Sequence, residues 1–546
     1  MTDVEAPSEL PVEVDHVLIP AEAEAGDPPP PLPDVPAPPA ATTEREIERK
    51  LRVPALFTMP PIVGENTGVS RVVARPPIVL SATYFDTDDL RLARWGITLR
   101  RREGGGDAGW HLKLPVAGGH SGDRDEVQLP LSAGEPISPP RELTHLVTAL
   151  VRGVSLRPVA ALRTERTPFL LRSPDDRLLA ELVDDVVSVL DGERVAGRFR
   201  EIEVEARDAT AADLDTILAV LQAAGAEPGT TSKAAHALGP RATAPPDVPV
   251  PSAPTPRGPS SVAVHAHLLT QTRRLLLNDV RMRRDLPDAV HQMRVAARRL
   301  RSSLRTFRPL LNRDWADSLR DDLGWVAEEL GLIRDTEVLL KRLVAHCDQI
   351  PDPTSREATR LLVTAELTKA LDSSRVSALA ALGSPRYLAV LEHLVTSARE
   401  PQFTEIATRS ARKVLPELSW KAWSQLRDEA SGLDHDVAAE QWHRTRITAK
   451  KARYAAEALE PVFGSEASLL ATSLEDVTEL LGEHQDSSVA RDLIVDLAHQ
   501  PGLGGPEGWG LGLLYGIEVQ CERDARDRFP SVWERAMQAH QRSPLR

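Results

Sequence analysis

The sequence of 546 residues predicts an α+β protein of two domains, an antiparallel sheet or barrel followed by an all-helical domain. Short segments of alternating polarity, separated by Gly, Pro and Asp, fill residues 44–240, and this pattern is typical of antiparallel strands. In residues 262–546 apolar residues recur with a helical period of 3.6. Residues 241–261 are rich in Pro, Ala and Ser and predict an extended linker between the two domains.

The acidic charge is concentrated in residues 1–43. They contain nine Asp or Glu residues and no Lys or Arg, and so carry most of the net charge of −14. Proline runs and scarce apolar periodicity predict a disordered tail. The two cysteines, Cys347 and Cys521, offer neither a disulfide framework nor a Cys-x-x-Cys metal pair. With no leader segment and no membrane-spanning apolar run, we expect a cytoplasmic protein without a membrane partner.

The strand-rich domain begins with EREIERKLRV, in which alternation puts Glu46, Glu48 and Lys50 on one face. For a single strand a solvated face would explain such charge. The same rule holds on every later candidate strand, however, and an ordinary half-buried sheet needs one apolar face on each strand. We therefore expect the charged faces to line a closed barrel. The later same-face groups are Arg100 with Arg102, His111 with Lys113, Arg124 with Glu126, Glu181 with Asp185, and Glu201 with Glu203 and Glu205.

The two signs of charge are separated along this domain. Carboxylates lie on the first and last strands, where they suit Mg²⁺ or Mn²⁺, hard cations that prefer oxygen ligands. Arg and Lys lie on the middle strands, where they suit phosphate oxygens. The pattern predicts a linear polyanion that carries a metal ion as the ligand.

These motifs together resemble a CYTH domain, the triphosphate tunnel metalloenzyme family, over residues 44–240. The resemblance rests on Glu46-x-Glu48-x-Lys50, Tyr84-Phe85-Asp86-Thr87, Leu99-Arg100-x-Arg102, Lys113 and Glu201-x-Glu203. It implies an eight-stranded antiparallel tunnel with flanking helices that hydrolyses or rearranges triphosphates with a divalent metal. It also implies catalytic roles for Glu46, Glu48 and Lys50, metal binding by Glu46, Glu48, Asp185, Glu201 and Glu203, and phosphate binding by Lys50, Arg100, Arg102, Lys113, Arg124, Arg163, Arg166 and Lys233. Glu165 departs from the basic pattern around the last two arginines.

The helical domain contains an internal duplication. The motif His291-x-x-Arg294 recurs as His443-x-x-Arg446 at an offset of 152 residues. A second motif, Leu-Gly-x-x-x-Asp, begins at Leu330 and recurs at an offset of 151 residues. The duplication predicts two similar bundles related by pseudo-twofold symmetry.

Each copy of the first motif predicts a basic stripe on a helix. Alone, such a stripe is commonly a solvated face. Two facing stripes would instead form a positive cleft for a long polyanion. The copies differ at their ends, since Glu457 stands in the second where Arg305 stands in the first. The stripes are His291, Arg294, Arg298, Arg301 and Arg305, and His443, Arg446, Lys450 and Arg453.

The repeated motifs resemble a CHAD domain, the conserved histidine α-helical domain, over about residues 262–540. The resemblance implies two four-helix bundles and binding of inorganic polyphosphate by Arg294, Arg298, Arg301, Arg446, Lys450 and Arg453. Helical periodicity alone adds Arg305. His291 and His443 either donate to phosphate, orient an arginine, or have a capping or packing role.

The leading hypothesis is metal-dependent hydrolysis of inorganic triphosphate or short polyphosphate in the tunnel, with polyphosphate bound by the helical domain. No nucleophilic Ser or Cys constellation is present, so we expect attack by a metal-activated water. Two alternatives remain: organic triphosphate chemistry, as in adenylate cyclase or thiamine triphosphatase, and a non-catalytic scaffold on cytoplasmic polyphosphate granules. The basic stripes lack interleaved aromatic residues, which disfavours nucleic acid as a partner.

Overall fold

The computed structural model describes residues 41–116, 122–229 and 231–543. The predicted tail lies outside these ranges except for residues 41–43, and the first strand already begins at Thr42. The chain divides into two compact units. Of the described residues, one unit contains those from 41 to Val250 together with Asp279–Leu286, and the other contains Pro251–Asn278 together with those from Pro287 onward.

Within the described residues, ten strands form the sheet of the first unit. They are β1 (Thr42–Val53), β2 (Arg71–Ala74), β3 (Ile78–Asp86), β4 (Thr98–Glu103), β5 (Gly109–Pro115), β6 (Asp123–Leu129), β7 (Arg157–Arg172), β8 (Leu178–Asp191), β9 (Arg194–Ala206) and β10 (Glu227–Pro228). Eight of them pair in the order β1-β6-β5-β4-β3-β7-β8-β9, and β9 pairs again with β1. All these pairings are antiparallel. The sheet is therefore a closed eight-stranded barrel, as predicted.

The barrel is polar inside and apolar outside. Cross-strand register places Glu46 opposite Arg124 and Lys50 opposite Glu203, all facing the interior. The residues between them face outward, and Leu51 is buried in a core with outward residues of β8 and β9. A helix that begins at Ala211 covers this core, so burial of apolar surface outside the barrel stabilises the fold.

The described part of the barrel unit contains the α-helices α1 (Arg91–Arg94), α2 (Arg141–Leu146), α3 (Thr148–Val151), α4 (Ala211–Ala223) and α5 (Lys233–Leu238). Thr210 begins α4 with a capping box in which its side chain and that of Asp213 exchange hydrogen bonds with the backbone. Part of the predicted linker packs on this unit. Asp247 is buried, accepts a hydrogen bond from Trp95 Nε1 at 2.9 Å and pairs with Arg152.

Ten helices follow. They are α6 (Ser260–Arg283), α7 (Ala289–Thr306), α8 (Arg313–Glu329), α9 (Gly331–Cys347), α10 (Pro353–Ala381), α11 (Pro385–Arg399), α12 (Ala411–Ala430), α13 (Ala439–Phe463), α14 (Ser465–Ala498) and α15 (Gly505–Gln541). Within the described residues, no helix combines the length and the hydropathy that crossing a membrane requires.

The duplication extends to the helices. Adding 152 to the bounds of α8 through α9, 313 and 347, gives 465 and 499, and α14 spans Ser465–Ala498. Adding 152 to the first residue of α10 gives 505, where α15 begins. The two repeats also share a core, because α9, α10, α14 and α15 contribute to one apolar cluster, which we call the shared core.

Candidate active site and basic cleft

The interior of the barrel contains a cavity of about 590 Å³, which we call the tunnel. Most of the residues predicted to bind metal or phosphate line it. Asp185 and Glu201 are buried and contact a lining lysine, Lys233. The predicted residues in the lining are Glu46, Glu48, Lys50, Arg100, Arg102, Lys113, Arg124, Arg166, Glu203 and Lys233.

The first strand supplies three alternating charged groups to the tunnel. Both oxygens of Glu46 accept hydrogen bonds from Lys113 Nζ, at 2.7 and 2.6 Å. Lys50 Nζ lies 2.9 Å from Glu48 Oε1 and 2.7 Å from Glu203 Oε1. Burial, and then the charge of Glu203, raise the pKa of Glu48 to about 7. Glu48 and Glu203 thus lie close together and buried, and a bound cation would relieve the repulsion between their carboxylates.

The last strands form a second ionic network around α5. Lys233 is the first residue of α5, and its Nζ lies 2.9 Å from Asp185 Oδ2 and 2.6 Å from both Glu201 Oε1 and Glu203 Oε1. Burial opposes the charged form of Lys233, but the carboxylates outweigh it and raise its pKa. Arg166 holds Asp185 through two hydrogen bonds of 2.9 and 2.7 Å. These contacts fix the acidic groups in place.

The opposite side of the tunnel is basic. Burial, and then the charges of Arg100 and Arg166, lower the pKa of Arg102 to about 9. Glu126 Oε1 lies 3.7 Å from Arg100 Nη2, so its negative charge partly offsets the positive charge of the arginines. His111 lies 3.0 Å from Glu126 Oε1, and burial lowers its pKa to about 4. At neutral pH this histidine is neutral, and the arginines carry the positive charge.

A second cavity, of about 470 Å³, lies between helices of the two repeats, and we call it the cleft. Arg294 and Lys450 line it, one from each repeat. Arg294 is buried and donates to Asp335 Oδ1 at 2.6 Å. Burial, and then Arg446 and Arg298, lower the pKa of Lys450 well below its ordinary value. The described basic residues of the cleft are Arg294, Arg298, Arg301, Arg305, Arg320, Arg446, Lys450 and Lys451.

Comparisons with known proteins match both halves. The family model of the CYTH domain matches residues 44–237, and that of the CHAD domain matches residues 266–495. The chain belongs to the CYTH and CHAD families. An uncharacterized protein of Mycobacterium tuberculosis, Rv2226, is 34% identical over 517 residues, which cover 89% of this chain and 95% of the relative.

Solved structures also resemble the chain. PptA from Streptomyces chartreusis is 24% identical with a TM-score of 0.44, covering 50% of this chain and 99% of that chain. The CHAD domain from the plant Ricinus communis is 26% identical with a TM-score of 0.43, covering 53% of this chain and 94% of that chain.

CYTH domains are metal-dependent triphosphate tunnel enzymes, and the tunnel residues of this chain fit a divalent cation. Asp185, Glu201 and Glu203 each offer a carboxylate oxygen within 4.8 Å of the other two. Glu48 Oε1 is buried and accepts no hydrogen bond from the described residues, although Lys50 is near. Carboxylate oxygens are the ligands that Mg²⁺ and Mn²⁺ prefer.

One residue that the CYTH resemblance assigns to phosphate binding, Arg163, lies apart from the others. Arg163 is exposed and absent from the described lining of the tunnel, whereas Arg166 lies in it. The physical reason is alternation, because residues three apart on a strand face opposite sides. In the register, Arg163 pairs with Ser188 and Arg166 with Asp185.

This difference makes a matched test. Arg166→Gln is expected to lower kcat/KM for triphosphate by about 10-fold or more, because a charged hydrogen bond to phosphate contributes about 1.5–3 kcal/mol. Arg163→Gln should leave kcat/KM unchanged. Steady-state kinetics, with thermal unfolding to verify the fold, checks both variants. Equal losses in the two variants would contradict the placement of Arg166 at the substrate.

In the CHAD domain, three predicted residues lie outside the described lining of the cleft: His291, His443 and Arg453. Arg453 donates to Glu457 at 2.8 Å and pairs with Glu475 on α14, so carboxylates of its own repeat hold it. His443 Nδ1 lies 2.7 Å from Gln485 Oε1, which supports a packing role. Burial lowers the pKa of His291, which leaves it neutral at pH 7.

Sequence reasoning assigned no role to several lining residues. Tyr454 is four residues after Lys450 in α13, so extending the stripe by one turn would have found it. Arg320 on α8 is outside the repeated motif and gave no signal. In the tunnel, alternation predicts inward-facing side chains for Glu126, Glu181 and Glu205, although neither the pattern nor the resemblance assigns them a role in the site. Arg207 also lines the tunnel, and neither the pattern nor the resemblance includes it.

Proposed function

We propose that the tunnel hydrolyses inorganic triphosphate or short polyphosphate with a divalent metal, and that the CHAD domain binds polyphosphate in the cleft. The observation that carries the proposal is the division of charge in one cavity. Glu46 and Glu48 lie on β1 and Glu203 lies on β9. Arg100 and Arg102 lie on β4, and all five side chains line the same cavity. A phosphate chain that carries a metal ion needs both groups at once.

Each side of the tunnel has a distinct task in this proposal. Arg100, Arg102 and Arg166, with the lysines, bind non-bridging phosphate oxygens and stabilise the charge that develops on them. Glu46, Glu48 and Glu203 would hold the metal, with Asp185 and Glu201 completing the acidic group. Mg²⁺ or Mn²⁺ held there would supply a water of lowered pKa and would neutralise phosphate charge.

The tunnel lining favours an inorganic substrate. Its described residues are mainly charged, and Tyr84 is the one aromatic side chain among them. A nucleobase or thiamine ring needs apolar or aromatic surface to replace its hydration. The sequence contains no Walker A loop, and its GxGxxG match, Gly104–Gly109, lies at the turn between β4 and β5 and not between a strand and a helix. These features support inorganic triphosphate over organic triphosphates.

The cleft suits a longer chain. Its described lining contains eight Arg or Lys side chains against two carboxylates, Glu328 and Asp335, so its field is strongly positive. A flexible polyanion can follow such a surface without base-specific contacts. The position of the cleft between the repeats supports a binding role separate from the hydrolytic one.

Phosphate release tests the proposal. The purified full-length chain is incubated with inorganic triphosphate, long-chain polyphosphate, ATP or thiamine triphosphate, each with Mg²⁺, Mn²⁺ or EDTA. We expect metal-dependent release that is fastest from inorganic triphosphate. A preference for ATP or thiamine triphosphate would contradict the substrate class. No release from any substrate, with polyphosphate still bound, would make the protein a polyphosphate scaffold.

A further inference from the structure

A cluster of three metal-ligating side chains lies in the helical region, outside the tunnel and the cleft. His346 is in α9, and Glu518 and Cys521 are in α15, three residues apart and hence on one helix face. One ligand atom from each lies within 4.8 Å of the other two. The three donors are an imidazole nitrogen, a carboxylate oxygen and a thiol sulfur.

Hydrogen bonds already orient two of these ligands. His346 Nδ1 lies 2.7 Å from Glu518 Oε1, and Arg342 Nε donates to Glu518 Oε2 at 2.8 Å. Arg342 also donates to Ser487 Oγ at 2.6 Å, which fixes its own position. Glu518 is fully buried. Despite burial, the hydrogen bonds from His346 and Arg342 lower the pKa of Glu518, so it is a carboxylate at neutral pH.

We propose that His346, Glu518 and Cys521 bind a divalent transition-metal ion of the zinc type. A donor set with nitrogen, oxygen and sulfur matches this borderline-soft ion, whereas Mg²⁺ prefers oxygen alone. Arg342 then holds the second oxygen of Glu518, as outer partners of metal ligands commonly do. His346 and Cys521 are partly exposed, so water has access to complete the tetrahedron.

The protons balance in this proposal. In the metal-free protein His346 donates a hydrogen bond from Nδ1–H to Glu518 Oε1 and keeps its proton. Burial raises the pKa of the Cys521 thiol, so the thiol is protonated as well. On binding, the imidazole proton moves to Nε2 and the thiol releases its proton to solvent. The thiolate and the carboxylate then carry two negative charges against the two positive charges of the ion, and Arg342 keeps its own positive charge.

The location gives the site a structural consequence. His346 comes from the first repeat, and Glu518 and Cys521 come from the second. The helices that carry them, α9 and α15, both contribute to the shared core. A bound ion would therefore connect the two repeats beside that core, and its binding free energy would add to the stability of the helical region.

Cobalt absorption tests the site in the full-length protein. A cobalt–thiolate bond gives a charge-transfer band that carboxylate ligands alone do not give, so Co²⁺ bound in the tunnel would not imitate it. The chain has two cysteines, and Cys347→Ala is the matched control because Cys347 lies in the shared core outside the cluster. We expect one equivalent of Co²⁺ with this band in the natural protein and in Cys347→Ala, and none in Cys521→Ser.

Two further readouts do not depend on catalysis. Zn²⁺ should displace Co²⁺ and raise the thermal unfolding midpoint of the natural protein by more than that of Cys521→Ser, because an ion in the tunnel would stabilise both proteins equally. His346→Gln keeps the thiol and should weaken Co²⁺ binding by about 10-fold or more. The absence of the thiolate band in the natural protein, its persistence in Cys521→Ser, or unchanged Co²⁺ affinity in His346→Gln would overturn the proposal.

Discussion

Glu48→Gln is expected to lower metal-dependent triphosphate hydrolysis by about 100-fold or more while leaving the barrel folded. The substitution keeps the shape of the side chain but removes a buried charge that faces Lys50, Lys113 and Glu203. Loss of one group that acts on the developing charge costs about 10²–10³ in rate. Initial rates of phosphate release at saturating Mg²⁺ measure the effect.

The fold should survive this change. Burial and the nearby carboxylate Glu203 disfavour the charged form of Glu48, so a neutral amide relieves repulsion between acids. The matched control is Glu165→Gln, because Glu165 lies on β7 with its side chain exposed. A normal rate in Glu48→Gln, or an equal loss in Glu165→Gln, would remove Glu48 from the proposed metal site.

The double variant Arg298→Glu with Lys450→Glu is expected to weaken long-chain polyphosphate binding by about 100-fold or more and to spare triphosphate hydrolysis. The two side chains line the cleft from opposite repeats. Charge reversal replaces attraction by repulsion at two points, and like charges that face each other cost several kcal/mol. Binding is measured at physiological salt, since screening weakens exposed charge interactions.

A matched charge reversal separates the cleft from net charge. Arg412 and Lys413 are exposed at the start of α12 and absent from the described lining of the cleft. Arg412→Glu with Lys413→Glu changes the net charge equally and should alter affinity much less. Equal losses in the two double variants would mean that polyphosphate reads overall charge, and an unchanged affinity in the cleft variant would reject the cleft as the binding site.

Local alternation predicted the tunnel because its period is a property of the backbone. Glu46, Glu48 and Lys50 occupy one interior face, as the sequence indicated. Arg163 entered the predicted site through the family resemblance and not through alternation, and it lies outside the described lining of the tunnel. The sequence alone could therefore have excluded Arg163, since it is three residues from Arg166.

The cleft was less predictable because it depends on contacts between helices. Periodicity placed Arg453 on the basic stripe, but it could not show that Glu475 of the next helix would pair with it. It likewise gave no reason to include Arg320, which comes from α8. The duplication did not predict the shared core either, because similar motifs are compatible both with repeats that pack separately and with repeats whose helices pack together.

The shared core has a consequence for synthesis on the ribosome. Leu343 and Val363 belong to the same apolar cluster as Leu493 and Leu514, about 150 residues later in the chain. At a synthesis rate of roughly 5–20 residues per second, α14 and α15 are completed on the order of ten seconds after α9 and α10. During that interval the apolar faces of nascent α9 and α10 lack their partners from the second repeat, so we expect the partly translated protein to be prone to association through them.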